Sequence, residues 1–135
     1  MRRRRKGQEG QALVEFALTI PILLILVLGV VEFARAWSAY QVITDAAREA
    51  ARTAVVDNPS VTLDSVQGVV RDALTRARLT QEPTIVVQGF RTGRGTNATV
   101  EIEYPYRFTW LSVLVGWSEE LSNLTLKTRF VMRNE

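Results

Sequence analysis

Hydrophobic and polar positions along this chain change period three times, and each change predicts an element. Residues 16–31, FALTIPILLILVLGVV, form an uncharged run of 16 residues closed by Glu32. As a helix that run is about 24 Å long, short of the roughly 30 Å hydrocarbon core of a bilayer. Extending it to Gln11 and Ala34 reaches membrane length but takes in both Glu15 and Glu32. The helical period then continues: Ala36, Tyr40, Ile43, Ala47, Ala50 and Ala54 recur every three or four residues and mark one apolar face. Alanine favours the helix intrinsically, and its small side chain lets a partner pack closely. The DNP at 57–59 ends it, because the residue before a proline avoids the α region. The simplest reading is one helix of about 45 residues, apolar in its first half and amphipathic in its second.

A second helix is expected over 63–79, capped by Thr62 or Asp64, with Val66, Val69, Val70, Ala73, Leu74 and Ala77 on its apolar face. From there the period drops to two. TIVVQGF at 84–90 is rich in β-branched residues, and RTGRGTN at 91–97 is loop-like. In 98–106, Val100, Ile102 and Tyr104 alternate with polar neighbours. In 123–132, Leu124, Leu126, Thr128, Phe130 and Met132 do the same. The fold class is therefore α+β: a long N-terminal helix, a second helix, and three antiparallel strands laid on the amphipathic half of the first. WLSVLVGW at 110–117 interrupts the strands and reads best as core or membrane-proximal packing.

Charge sharpens the first helix. The chain carries a net charge of +3, but Arg2, Arg3, Arg4, Arg5 and Lys6 supply five of its 17 basic residues. Without residues 1–10 there remain 12 basic and 13 acidic residues, a net charge of −1. The basicity belongs to the N-terminus, so the body lacks the standing positive surface that phosphate-backbone binding needs, and no nucleic-acid partner is expected. A basic flank before the apolar run predicts a cytoplasmic N-terminus and a body on the far side of the membrane.

Catalytic chemistry has little to work with. The chain of 135 residues contains no cysteine and no histidine, which removes disulfides, thiol nucleophiles, zinc-finger spacings and Ser-His-Asp arrangements. The GRG at 93–95 is not set between a strand and a helix as a phosphate cradle is. NAT at 97–99 and NLT at 123–125 match a glycosylation pattern that is frequent by chance. No catalytic residue, metal ligand or cofactor is expected.

The informative constellation is Gly10 to Phe16. Glycine following a basic leader can adopt an open, extended backbone that a protease grips. A cut there frees an α-amine on Gln11, with Glu15 four residues on, about one helical turn away. A charge inside lipid costs about 2.5–3.5 kcal/mol on insertion scales, so a carboxylate there normally has a partner.

GQALVEF, followed by ALTIPILLILVLGVVEFARAWSAYQVITDAARE, resembles the TadE-like pseudopilins of the tight-adherence (Tad) pilus, in the type IVb pilin group. The resemblance covers about residues 10–52 and includes Gly10, Glu15, Phe16, Pro21, the second Glu-Phe pair Glu32–Phe33 and the Ala-Ala-Arg-Glu at 46–49. It implies a pilin-like fold and division into a leader (1–10), a transmembrane half-helix (11–34), an amphipathic half-helix (35–56) and an outer α+β head (57–135). It implies cleavage between Gly10 and Gln11 by a membrane-embedded prepilin peptidase. It further implies a single-pass inner-membrane protein, a minor pseudopilin partnering other pilin subunits and the inner-membrane assembly platform in pilus assembly for surface attachment. In such proteins the carboxylate at the position of Glu15 pairs with the N-terminal amine of a neighbouring subunit. Two rivals stand beside this. One is a secretory signal cut after Ala34-Arg35-Ala36, leaving Trp37 first. The other is an uncleaved signal anchor displaying a small binding domain of the cell envelope.

Overall fold

The structure, a computed structural model, describes residues 6–110 and 123–134. Its elements are α1 (Lys6–Val55), α2 (Leu63–Arg76), β1 (Thr84–Gln88), β2 (Asn97–Arg107) and β3 (Asn123–Arg133). The α+β architecture expected from the periods is present: a long apolar N-terminal helix, a second helix and a three-stranded antiparallel sheet in the order β1-β2-β3. Of the apolar stretch at 110–117, only Trp110 is among the described residues.

At 50 residues, α1 extends about 75 Å. Its N-terminal half is long and apolar enough to cross a membrane, and none of its most apolar stretch is buried in the protein. Pro21 lies inside it; the proline has no N–H to give the carbonyl of Ala17, four residues earlier. Burial begins at Glu32 and follows a helical stripe through Ala36, Ala39, Ile43, Ala46, Ala47, Ala50, Ala51 and Ala54. That stripe differs from the sequence expectation at Tyr40, which is 37 % exposed at its edge while Ala39 takes the inner position.

Thr62 is the N-cap of α2: its side chain accepts from the Ser65 N–H at 3.2 Å, and Ser65 Oγ accepts from the Thr62 N–H at 2.9 Å. The helix ends at Arg76, three residues before the expected end at 79. Arg78 adopts φ 57°, and the N–H groups of Leu79 and Arg78 donate to the carbonyls of Leu74 and Thr75. This is a Schellman closure with an arginine where glycine is usual.

Strand β2 is central, and its alternation holds: Val100, Ile102, Tyr104 and Tyr106 are buried against the helices, with Leu126 and Thr128 of β3 beside them. Gly89 closes β1 at φ 71°; a Cβ there would lie 2.1 Å from the Asn97 carbonyl oxygen, so only glycine fits the β1–β2 connection. Val66, Val70 and Leu74 of α2 join the same core. The head is thus clamped on the C-terminal half of α1, and the N-terminal half projects from it.

Candidate functional site

The Gly10–Phe16 constellation lies on the projecting half of α1. Gly10 is helical and exposed, with open space where a Cβ would point. Gly10 is thus helical in this structure, and an extended backbone there would require local unwinding. Glycine lowers the cost of unwinding the helix there by about 1 kcal/mol relative to alanine. Gln11 follows on the same exposed surface, and its side-chain amide donates to Glu15 Oε1 at 3.0 Å. The spacing that the sequence suggested thus brings Gln11 and Glu15 together within one turn. Phe16 is 63 % exposed, so the motif offers a carboxylate and an aromatic ring to whatever surrounds the helix.

Glu32 and Phe33, the second acidic-aromatic pair, part company. Phe33 is exposed and its ring stacks on Trp37 with centroids 6.4 Å apart. Glu32 is 1 % exposed. Its Oε1 accepts from the backbone N–H of Thr109 at 3.0 Å and of Trp110 at 2.7 Å, and Arg35 Nη1 approaches it at 3.4 Å. A carboxylate receiving two backbone N–H groups and one guanidinium is a charge kept in the interior by charge-assisted hydrogen bonds. It ties α1 to the chain directly after β2, across 77 residues of sequence.

The hydroxyl of Tyr106 and Glu32 Oε2 are both buried, and neither has a hydrogen-bond partner among the described residues. Burial pushes the Tyr106 phenol above its ordinary proton affinity; the positive charge of Arg35 opposes this, and the nearby Glu32 carboxylate adds to it.

Sequence reasoning named Glu32 as a helix feature but not as this clamp. The signal was available: one turn before Ala36, Glu32 is the next member of the buried stripe. Its partners, two backbone amides, leave no trace in residue type. Among the described residues no group of three acidic, histidine or cysteine side chains could hold a metal ion.

The Gly10–Glu15 spacing, the apolar run and the alanine stripe all fall in the first 54 residues, and a family model matches there too. The model of the TadE-like protein family matches residues 10–52. The matched segment starts at Gly10 and ends near the last turn of α1, so it holds Glu15, Phe16, Pro21, Glu32 and Phe33 but neither α2 nor the sheet. Neither a curated protein nor a solved structure matches the chain significantly.

Proposed function

We propose that this chain is a pilin-like minor pseudopilin that is matured by a prepilin peptidase between Gly10 and Gln11 and then takes part in assembling a tight-adherence pilus for surface attachment. The observation that carries this reading is that the TadE-like match begins at the very glycine that precedes the Gln11–Glu15 turn. The apolar half of α1 is the inner-membrane anchor, with residues 1–10 cytoplasmic and the head of residues 57–135 outside. After the cut, Glu15 is within a turn of the new amine of its own chain, or of a neighbour packed alongside, and the pair neutralises two charges that lipid disfavours. The partners are the peptidase, other pilin or pseudopilin subunits and the membrane assembly platform.

N-terminal sequencing of the mature protein tests it. A chain beginning at Gln11 supports the reading, whereas Trp37 would point to a secreted domain and Met1 or Arg2 to an uncleaved anchor. The Glu32 clamp disfavours the secreted form. A cut before Trp37 would remove the carboxylate on which the Thr109 and Trp110 amides depend.

A further inference from the structure

Where α1 leaves the head, large aromatic rings face outward. Phe33 and Trp37 of α1 are 68 % and 54 % exposed and stack with centroids 6.4 Å apart, and Trp110, just past β2, is 54 % exposed. Leu124, at the start of β3, is exposed and shares a surface groove with Gly29 and Phe33, so the sheet comes down to the same level of the helix. Elsewhere in the head Phe90, Tyr104, Tyr106, Phe108 and Phe130 are buried or half-buried. The exposed rings are thus gathered at the foot, an apolar surface that water disfavours.

The Glu32 clamp sets where this foot lies relative to a bilayer, on the reading above that α1 spans one. About 20 helical residues fill a hydrocarbon core of roughly 30 Å. Counted back from Glu32, the first charge after the uncharged run, they are residues 12–31, a span that takes Glu15 into lipid as the proposed pairing requires. The hydrocarbon edge then lies at Val31, and Glu32 stands at the headgroup layer. The Thr109 and Trp110 N–H groups are fixed to the Glu32 carboxylate at 3.0 and 2.7 Å, so the turn after β2 is held at that same level. Helical side chains lean toward the helix N-terminus, so the Phe33 and Trp37 rings reach back toward lipid. Arg35, half exposed between them, offers a guanidinium to the phosphates.

We infer that the foot of the head is a membrane-docking surface, with Phe33, Trp37 and Trp110 in the headgroup layer and Arg35 against lipid phosphate. The head therefore rests on the bilayer and is not held off it on a stalk of helix. Tryptophan, an apolar ring with one polar edge, is a side chain that collects at this depth. Lipid is the partner because the surface is continuous with the apolar half of α1, which the head leaves uncovered, and lies at the level where that half ends.

The test is tryptophan quenching in the full chain, reconstituted in phosphatidylcholine vesicles brominated either near the headgroup or near the end of the acyl chains. Trp110→Phe with Trp117→Phe leaves Trp37 as the reporter, and Trp37→Phe with Trp117→Phe leaves Trp110. Trp37 and Trp110 are exposed, so phenylalanine at either leaves the core intact. Leu23→Trp, in a chain whose three native tryptophans are phenylalanine, reports the span. Trp37 and Trp110 should each lose more emission to the shallow bromines than to the deep ones, and the Leu23→Trp chain should show the reverse. Trp37 or Trp110 unquenched at both depths, beside a quenched Leu23→Trp chain, overturns the docking surface and leaves the span intact. Blue-shifted emission from those unquenched rings would assign the surface to a second copy instead. Stronger quenching of Trp37 and Trp110 by the deep bromines overturns the headgroup level. An unquenched Leu23→Trp chain overturns the span and the docking together.

Discussion

At the scale of single residues, Glu32 decides how the head meets its helix. Replacing it with alanine leaves the Thr109 and Trp110 N–H groups without their acceptor and Arg35 without its counter-charge. Each buried donor left unsatisfied costs about 1–3 kcal/mol. Glu32→Ala should therefore lower the stability of the head by about that much or more, and Glu32→Gln, which keeps a carbonyl acceptor, by less. Chemical denaturation in detergent measures the difference, and faster amide exchange at Thr109 and Trp110 would locate it. Equal stability of the alanine variant would contradict the clamp. Tyr106 makes a second prediction. Its phenol binds its proton more tightly in the folded chain than the ordinary value of 10.0, chiefly because it is buried. The stability it contributes is therefore complete below that value and is lost as pH rises past it. Alkaline titration should weaken the native head over that window, and Tyr106→Phe should flatten the loss without lowering stability at neutral pH. The melting temperature followed from neutral pH upward through 10.0 reads both effects.

At the scale of elements, what the sequence revealed depended on whether periodicity or backbone geometry set the boundary. The strand alternation in 98–106 and 123–132 foretold which side chains face the helices, because one buried face fixes register and a slip would invert it. The long helix was legible for the same reason, down to its stop before Pro59. The stripe on its second half was displaced at Tyr40, since an aromatic at the edge of a buried stripe counts as apolar by type while its ring lies outside. The end of α2 was not legible. Its apolar period runs on through Ala77, but the left-handed residue at Arg78 stops the helix and nothing in that residue type announces it. A left-handed position disfavours a residue with a Cβ by roughly 1 kcal/mol, and glycine relieves it. Arg78→Gly should thus raise the unfolding free energy by about 0.5–1 kcal/mol. An unchanged or lower denaturation midpoint would mean that Arg78 supplies something other than the turn.

At the scale of the whole molecule, the chain divides its work along one helix. The C-terminal half of α1 is used up as the spine of the head, and its stripe of small residues lets α2 and the sheet sit close. The N-terminal half has no packing partner among the described residues and keeps its apolar surface for lipid or for other helices. Gly10 and Glu15 both lie on this free half, and the proposed function gives them separable roles. Gly10 is exposed on open helix, so a bulky residue there, Gly10→Leu for example, leaves the head untouched and should block removal of the leader. Among the described residues the Glu15 side chain bonds to the Gln11 amide, within its own turn, an exposed contact worth about 0.5–1.5 kcal/mol at most. Glu15→Ala should accordingly fold, insert and be cut as the parent is. It should nevertheless fail to assemble, because the amine made at Gln11 then has no carboxylate to meet it in lipid. Immunoblotting separates mature from precursor chains, and shearing pili from cells shows whether assembly occurs. Normal pili from the Glu15→Ala chain would remove the role assigned to that carboxylate. An uncut Glu15→Ala chain would instead place it in peptidase recognition, and Glu15→Gln, which is uncharged but close in shape, would then distinguish the charge from the fit.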